Sequence, residues 1–151
     1  MLYQLQKLSE EEQTLVRRSP IWVTLLIACA DFDIDEAEID RAKEIIHIKS
    51  FALENDVKHL YNDLNESVDE EIDFVLKSLS ADGKKRLAFL EEHIAQLNEI
   101  FPKLNERYAT QLYDSLRGLA VAVARAKGGV FGNNAISEEA DEYIERPVLR
   151  K

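Results

Sequence analysis

The chain has 151 residues, a formal net charge of −10 and a hydrophobic fraction of 46%. This length suits one domain with a real hydrophobic core. The negative charge argues against a general nucleic-acid binder and against docking on an anionic membrane, because both need clustered lysine and arginine. Cations and basic protein surfaces are its natural partners, although net charge can also serve solubility alone.

One cysteine, Cys29, lies in an apolar run over residues 21–30. No intrachain disulfide can form, so the cytosol is the compartment that we expect. The run has about half the length that a bilayer span needs, and the N-terminal residues lack the layout of a signal peptide. We therefore expect a soluble, cytoplasmic chain without direct membrane insertion.

Helix signals recur along the whole chain as capping residues and as apolar stripes at helical spacing. They predict successive helices over 9–18, 19–30, 35–46, 53–64, 67–79, 87–101 and 105–127, and a closing helix from 137. No alternating β-branched run competes as a strand, and the basic tail 146–151 is expected to fray. The predicted fold is all-α, a single domain over 1–151 formed by a compact bundle of about seven or eight helices.

Three helix starts are specified in detail. Ser9 with Glu12, and Ser67 with Glu70, have the spacing of a capping box. Ser19 followed by Pro20 reads as an N-cap residue with proline at the first helical position. The helix that follows Pro20 is apolar almost all round, so it should lie buried at the centre of the bundle.

Six of the ten residues from 31 to 40 are acidic. Asp31, Asp33, Asp35 and Glu38 stand between two predicted helices, where alternate carboxylates can converge on a hard cation such as Ca²⁺ or Mg²⁺. The segment departs from an EF-hand because Glu36 replaces the required glycine. These four residues are the candidate metal ligands of the chain.

Helix initiation explains part of the same acidic segment. Asp35 and Glu38 have capping-box spacing, and Ile34 and Ile39 occupy the positions of a hydrophobic staple. Asp31 is not explained in this way, since a negative charge near the end of the preceding helix opposes the helix dipole by about 0.3–1 kcal/mol. Metal binding and plain helix capping both remain open for this segment.

The sequence contains no recognisable catalytic constellation. His47, His59 and His93 lack the spacing of a helical metal pair and are expected to be ordinary solvated or hydrogen-bonded helix residues. No nucleophile elbow, phosphate loop or zinc-protease motif is present, and the glycine-rich stretch 128–132 lacks the Lys-Ser/Thr ending of a phosphate loop. We therefore expect no catalytic residue, no cofactor-binding residue and no enzymatic activity.

Two segments together resemble the TerB-like family, which is named for tellurite-resistance proteins. Residues 28–38 are similar to the family's Ala-Asp-Gly-x-Ile/Val-x-x-x-Glu loop, with Phe32 in place of the glycine. Residues 124–139 resemble its glycine-rich loop and following Ile-Ser helix start. The resemblance implies a compact all-α fold of seven or eight helices and a divalent-metal or partner-binding role, often linked to stress responses and membrane-associated complexes.

The leading hypothesis is a non-enzymatic TerB-like module whose acidic segment binds a divalent cation or a basic protein partner. The alternative is a helical protein-interaction scaffold without a metal site, which would be recognised by a contiguous exposed apolar patch. An enzyme is the third hypothesis and would need a concave pocket lined by titratable groups.

Calorimetric titration of the chelator-treated protein with Ca²⁺, Mg²⁺, Mn²⁺ and Zn²⁺ tests the metal hypothesis. If the acidic segment supplies the ligands, we expect saturable binding that is lost in the Asp31→Asn/Asp33→Asn variant, because both changes remove anionic oxygens. Absence of heat up to millimolar cation would leave the segment as a capped helix start.

Overall fold

The computed structural model describes residues 3–30, 34, 36–53, 55–129 and 149. Within these residues seven α-helices occur, at Glu10–Arg17 (α1), Ser19–Ala28 (α2), Glu36–Ala52 (α3), Lys58–Asn65 (α4), Val68–Ser78 (α5), Gly83–Ile100 (α6) and Glu106–Gly129 (α7). Short 3-10 turns lie at Tyr3–Leu5 and Phe101–Lys103. The described part of the chain contains no strand, which confirms the all-α prediction. The predicted closing helix from 137 lies outside the described residues.

Helix α2 is the centre of the bundle, as its composition predicts. All 10 of its residues are buried, and it packs against α1, α3, α6 and α7. The indole N–H of Trp22 donates to the carbonyl of Leu15 at 3.2 Å, so its one polar atom is satisfied at the junction with α1. An apolar helix of this kind is stable only where neighbouring helices cover every face.

The core divides into two connected parts. The larger cluster includes Leu25, Leu60, Ile72, Leu90 and Leu112, so it joins α2 to α4, α5, α6 and α7. The smaller cluster lies at the C-terminal end of α2, where α3 and α7 pack against it. Its buried members are Ile27, Ala30, Ala42, Leu119, Val123 and Ala124. The chain leaves the core there and enters the acidic segment.

The structure confirms one predicted helix cap and corrects two others. Ser9 Oγ accepts from the backbone N–H of Glu12 at 3.1 Å, and the Glu12 carboxylate accepts from the Ser9 N–H at 3.0 Å, which completes the capping box. Ser67 occupies the N-cap position of α5 but makes no side-chain cap hydrogen bond, because its backbone (φ −137°, ψ 27°) is not in the extended region that capping uses. Arg18, not Ser19, is the N-cap of α2, since α1 runs almost directly into α2.

The boundary between α3 and α4 also differs from the prediction. Helix α3 continues to Ala52, and α4 begins at Lys58 rather than near residue 53. The side-chain carbonyl of Asn55 accepts from the N–H of Val57 at 3.0 Å, a local turn that competes with helix at these residues. Pro102 lies in the 3-10 turn directly after α6, where its missing backbone N–H prevents the α-helix from continuing.

The C-terminal tail has one described residue, Leu149. Its side chain is 6% exposed and belongs to the main core cluster.

None of the described helices is both long enough and apolar enough to cross a bilayer.

The variant Leu149→Ala measures how much the buried side chain of Leu149 contributes to the free energy of unfolding. Because the side chain is buried, we expect a loss of about 2–5 kcal/mol in the free energy of unfolding by urea. Ile48→Ala, which removes a half-exposed aliphatic side chain from α3, is the control and should cost far less. Equal, small losses for the two variants would mean that the tail frays in solution.

A candidate binding groove between α1, α5 and α6

The sequence-predicted metal ligands are only partly described by the structure. Asp31, Asp33 and Asp35 lie outside the described residues, whereas Glu38 lies in the first turn of α3 and is 5% exposed. Within the described residues, no group of three His, Cys, Asp or Glu side chains could hold a metal ion. The metal site therefore stays a prediction that rests on the sequence.

A solvent-open groove of about 770 Å³ lies between α1, α5 and α6 and is called the α1–α5–α6 groove below. Its floor and walls combine aromatic, aliphatic and charged side chains. They are Glu10, Glu11, Glu12, Thr14, Leu15, Arg18, Trp22, Phe74, Val75, Ser78, Phe89, His93, Gln96, Glu99, Ile100 and Lys103. The volume lies within the range of about 300–1,000 Å³ that is typical of ligand sites.

One end of the groove is aromatic. The His93 ring lies between two others, with centroids 4.6 Å from Trp22 and 4.2 Å from Phe89. His93 Nδ1 donates to the Phe89 carbonyl at 2.8 Å, because a carbonyl can only accept, and this orients the ring. We call Trp22, Phe89, His93 and Phe74 the aromatic end.

Phe74 projects from α5 and is 58% exposed. The guanidinium of Arg18 lies over its ring, 4.8 Å from the centroid, and Arg18 Nε donates to Glu71 Oε2 at 2.6 Å. Cation–π contact and ion pair together hold Arg18 in place at the junction of α1 and α2. The Phe74 ring is therefore exposed to solvent next to the Arg18–Glu71 ion pair, in which the two charges cancel.

The opposite end of the groove is acidic. Lys103 Nζ donates to Glu12 Oε2 at 2.6 Å, which ties the start of α1 to the turn that follows α6. These hydrogen bonds from Lys103 and from the Ser9 N–H hold the pKa of Glu12 below its ordinary value of 4.5. We call Glu10, Glu11 and Glu99, together with this pair, the acidic end.

Charge pairing leaves the groove with a net negative lining. Both of its described cations are paired, Arg18 with Glu71 and Lys103 with Glu12. Glu10, Glu11 and Glu99 are exposed, and no ion pair is formed by them among the described residues. The groove therefore combines an apolar aromatic floor at one end with exposed carboxylates outside any described ion pair at the other. The dipole of α1 partly offsets the charges of Glu10 and Glu11, which lie in its first turn.

Two buried tyrosines outside the groove belong to the core rather than to a reactive site. The Tyr61 and Ser115 hydroxyls hydrogen-bond to each other between α4 and α7. Burial raises the pKa of Tyr61 and of Tyr108, so neither phenol ionises at neutral pH. Both rings belong to the main core cluster, Tyr61 from α4 and Tyr108 from α7.

Sequence reasoning did not identify the groove. Phe74 lies off the apolar stripe of α5, which runs through Ile72 and Val75, and an aromatic residue on a polar face was the one available signal. The stacking of Trp22, Phe89 and His93 joins α2 to α6 and has no local signature. His93 is hydrogen-bonded within its helix, as predicted, but its ring also lines a surface that the sequence did not indicate.

No family model, curated protein or solved structure matches this chain. The TerB-like resemblance therefore stays a prediction.

The Glu12–Lys103 pair predicts a pH dependence of stability. Since the folded pKa of Glu12 is lowered, the stabilisation is present above about pH 4.5 and is lost as the pH falls through the folded value. Glu12→Gln keeps an acceptor for the capping box but removes the charge. We expect the variant to be less stable than the wild type at neutral pH and the difference to shrink on acidification.

Urea midpoints measured near neutral pH and near pH 3 check this expectation. Glu70→Gln, an exposed acid in the first turn of α5, is the control for loss of one negative charge near a helix start. A Glu12→Gln deficit that is the same at both pH values would contradict the assigned role of the pair.

Proposed function

We propose that this chain is a non-enzymatic helical module that binds a basic segment of a partner protein in the α1–α5–α6 groove. The observation that carries the proposal is the juxtaposition, in one concave surface, of an aromatic end with the exposed Phe74 ring and of exposed carboxylates that form no ion pair among the described residues. Exposed aromatic residues in a concave surface are typical anchors of protein interfaces, where a few such contacts supply most of the affinity.

The chemistry of the groove favours a cationic occupant with an apolar side chain. The aromatic end can remove an aliphatic or aromatic anchor from water, which contributes roughly 25 cal/mol per Å² of apolar surface buried. The carboxylates of Glu10, Glu11 and Glu99 attract lysine or arginine, and the net charge of −10 extends this attraction beyond the contact. Attraction between the carboxylates and the partner's cations then orients the partner, and burial of its apolar anchor at the aromatic end supplies most of the affinity.

The TerB-like resemblance supports a second candidate function, divalent-cation binding by the acidic segment. Asp31, Asp33, Asp35 and Glu38 would supply the oxygens, with Ca²⁺ or Mg²⁺ as the hard cation. A role in tellurite resistance or another stress response belongs to this same hypothesis. It is independent of the groove, and the calorimetric titration described above tests it.

A random lysine–phenylalanine copolymer tests the groove proposal, because it samples many spacings of cation and anchor. Trp22 is the one tryptophan of the chain and lines the groove, but it is 5% exposed, so its fluorescence is followed together with calorimetry, which measures binding directly. We expect a saturable change in Trp22 emission, with an affinity that falls at least about fivefold in Phe74→Ala, as for a contact residue worth 1 kcal/mol or more.

Phe51→Ala is the matched control, because Phe51 is 60% exposed but lies at the end of α3, outside the groove. Polylysine controls for charge attraction alone. The proposal fails if the copolymer gives neither saturable heat nor a change in Trp22 emission, or if Phe74→Ala and Phe51→Ala alter binding equally.

A further inference from the structure

We infer that the occupant of the α1–α5–α6 groove is an amphipathic helix of a partner protein, with a lysine or arginine two turns N-terminal to a large apolar anchor. This inference rests on the proposed function and specifies the conformation, spacing and direction of the partner segment. Three features of the groove lead to it.

The first feature is the nature of the walls. The groove is bounded by α1, α5 and α6, whose interior backbone groups are already hydrogen-bonded within each helix. No strand edge exists in the described part of the chain to receive an extended peptide. An extended occupant would leave its own N–H and C=O groups without partners against an apolar floor, whereas a helix satisfies them internally.

The second feature is the distance between the two ends. On α6, His93 of the aromatic end lies six residues before Glu99 of the acidic end, which corresponds to about 9 Å at the helical rise. On the α1 side, Glu11 and Arg18 are seven residues apart, which corresponds to about 10 Å. Two turns of an occupying helix advance by about 11 Å and return a side chain to the same face. A cation and an apolar anchor separated by seven residues on one face of the helix therefore reach the two ends of the groove together.

The third feature is the position of the carboxylates, which determines the direction of the helix dipole of the occupant. The N-terminus of a helix carries partial positive charge, which is stabilised near carboxylates. The acidic end contains Glu10, Glu11 and Glu99, so the N-terminus of the occupant belongs there and its anchor belongs beside Trp22 and Phe74. The cation consequently precedes the anchor in the partner's sequence.

Blocked, alanine-rich peptides of about sixteen residues, long enough to populate helix, serve as probes. The forward peptide carries two lysines on one turn and a phenylalanine with a leucine two turns later on the same face. A reversed peptide has the same composition with the apolar pair first, and a third peptide contains a central proline that prevents a continuous helix.

We expect the forward peptide to bind about tenfold more tightly than either control, a preference equivalent to about 1.4 kcal/mol. Trp22 fluorescence and calorimetry measure the affinities, and circular dichroism follows helix formation. Glu11→Gln/Glu99→Gln should reduce the preference and its salt dependence. Glu70→Gln/Glu106→Gln removes two exposed helix-start acids outside the groove and should leave both unchanged.

Equal affinity of the reversed or proline-containing peptide would overturn the inference. If the lysine–phenylalanine copolymer still binds with Phe74 dependence, the proposed function survives that result; if the copolymer also fails, both fall. Concentration-dependent dimers in sedimentation velocity that are abolished by Phe74→Ala would assign the groove to a second copy of the chain and would likewise overturn the inference.

Discussion

Burial of helix α2 is the constraint on which the rest of the structure depends. Its 10 residues are apolar or small and are all buried, so the surrounding helices must cover every face. Full burial of each large aliphatic side chain contributes about 1.5–3 kcal/mol relative to exposure, and Ile21 and Leu25 are completely enclosed. The start of α2 places Trp22 in the floor of the groove, and its end leads into the acidic segment. The groove is therefore built on one end of this buried helix, and the acidic segment follows its other end in the sequence.

Pairing of the available cations determines the electrostatics around this core. Arg18 and Lys103 are each held by a carboxylate from another element, Glu71 on α5 and Glu12 on α1. These pairs join α2 to α5 and the turn after α6 to α1, but they leave the groove no free positive charge among its described lining residues. The chain has 29 acidic and 19 basic residues, and Glu10, Glu11 and Glu99 are exposed carboxylates that form no ion pair among the described residues. The affinity that we propose for cationic segments rests on this composition together with the pairing.

The groove and the acidic segment are both rich in negative charge, but they suit different kinds of ligand. The groove adds aromatic surface to its carboxylates, so it favours a protein segment that offers an apolar anchor as well as a cation. The segment with Asp31, Asp33 and Asp35 places acidic residues at alternate positions of the sequence, and carboxylate oxygens are the ligands preferred by hard metal ions. Two different ligands, one macromolecular and one ionic, are consistent with a single acidic helical module.

Local sequence signals determined the helices, the Ser9–Glu12 cap, the central position of α2 and the negative charge, because helix periodicity, capping and net charge depend on residues close in the chain. They failed at Ser67, whose backbone leaves the capping region, and at the boundary between α3 and α4, where the Asn55 side chain forms a local turn that ends the helical pattern. The groove could not be derived in this way. Its aromatic end joins residues 22, 74, 89 and 93, and its acidic end joins residues 10–12 to 99 and 103. Only the packing of α1, α5 and α6 around α2 brings these side chains together, since contacts between residues so far apart in sequence have no local periodic signature.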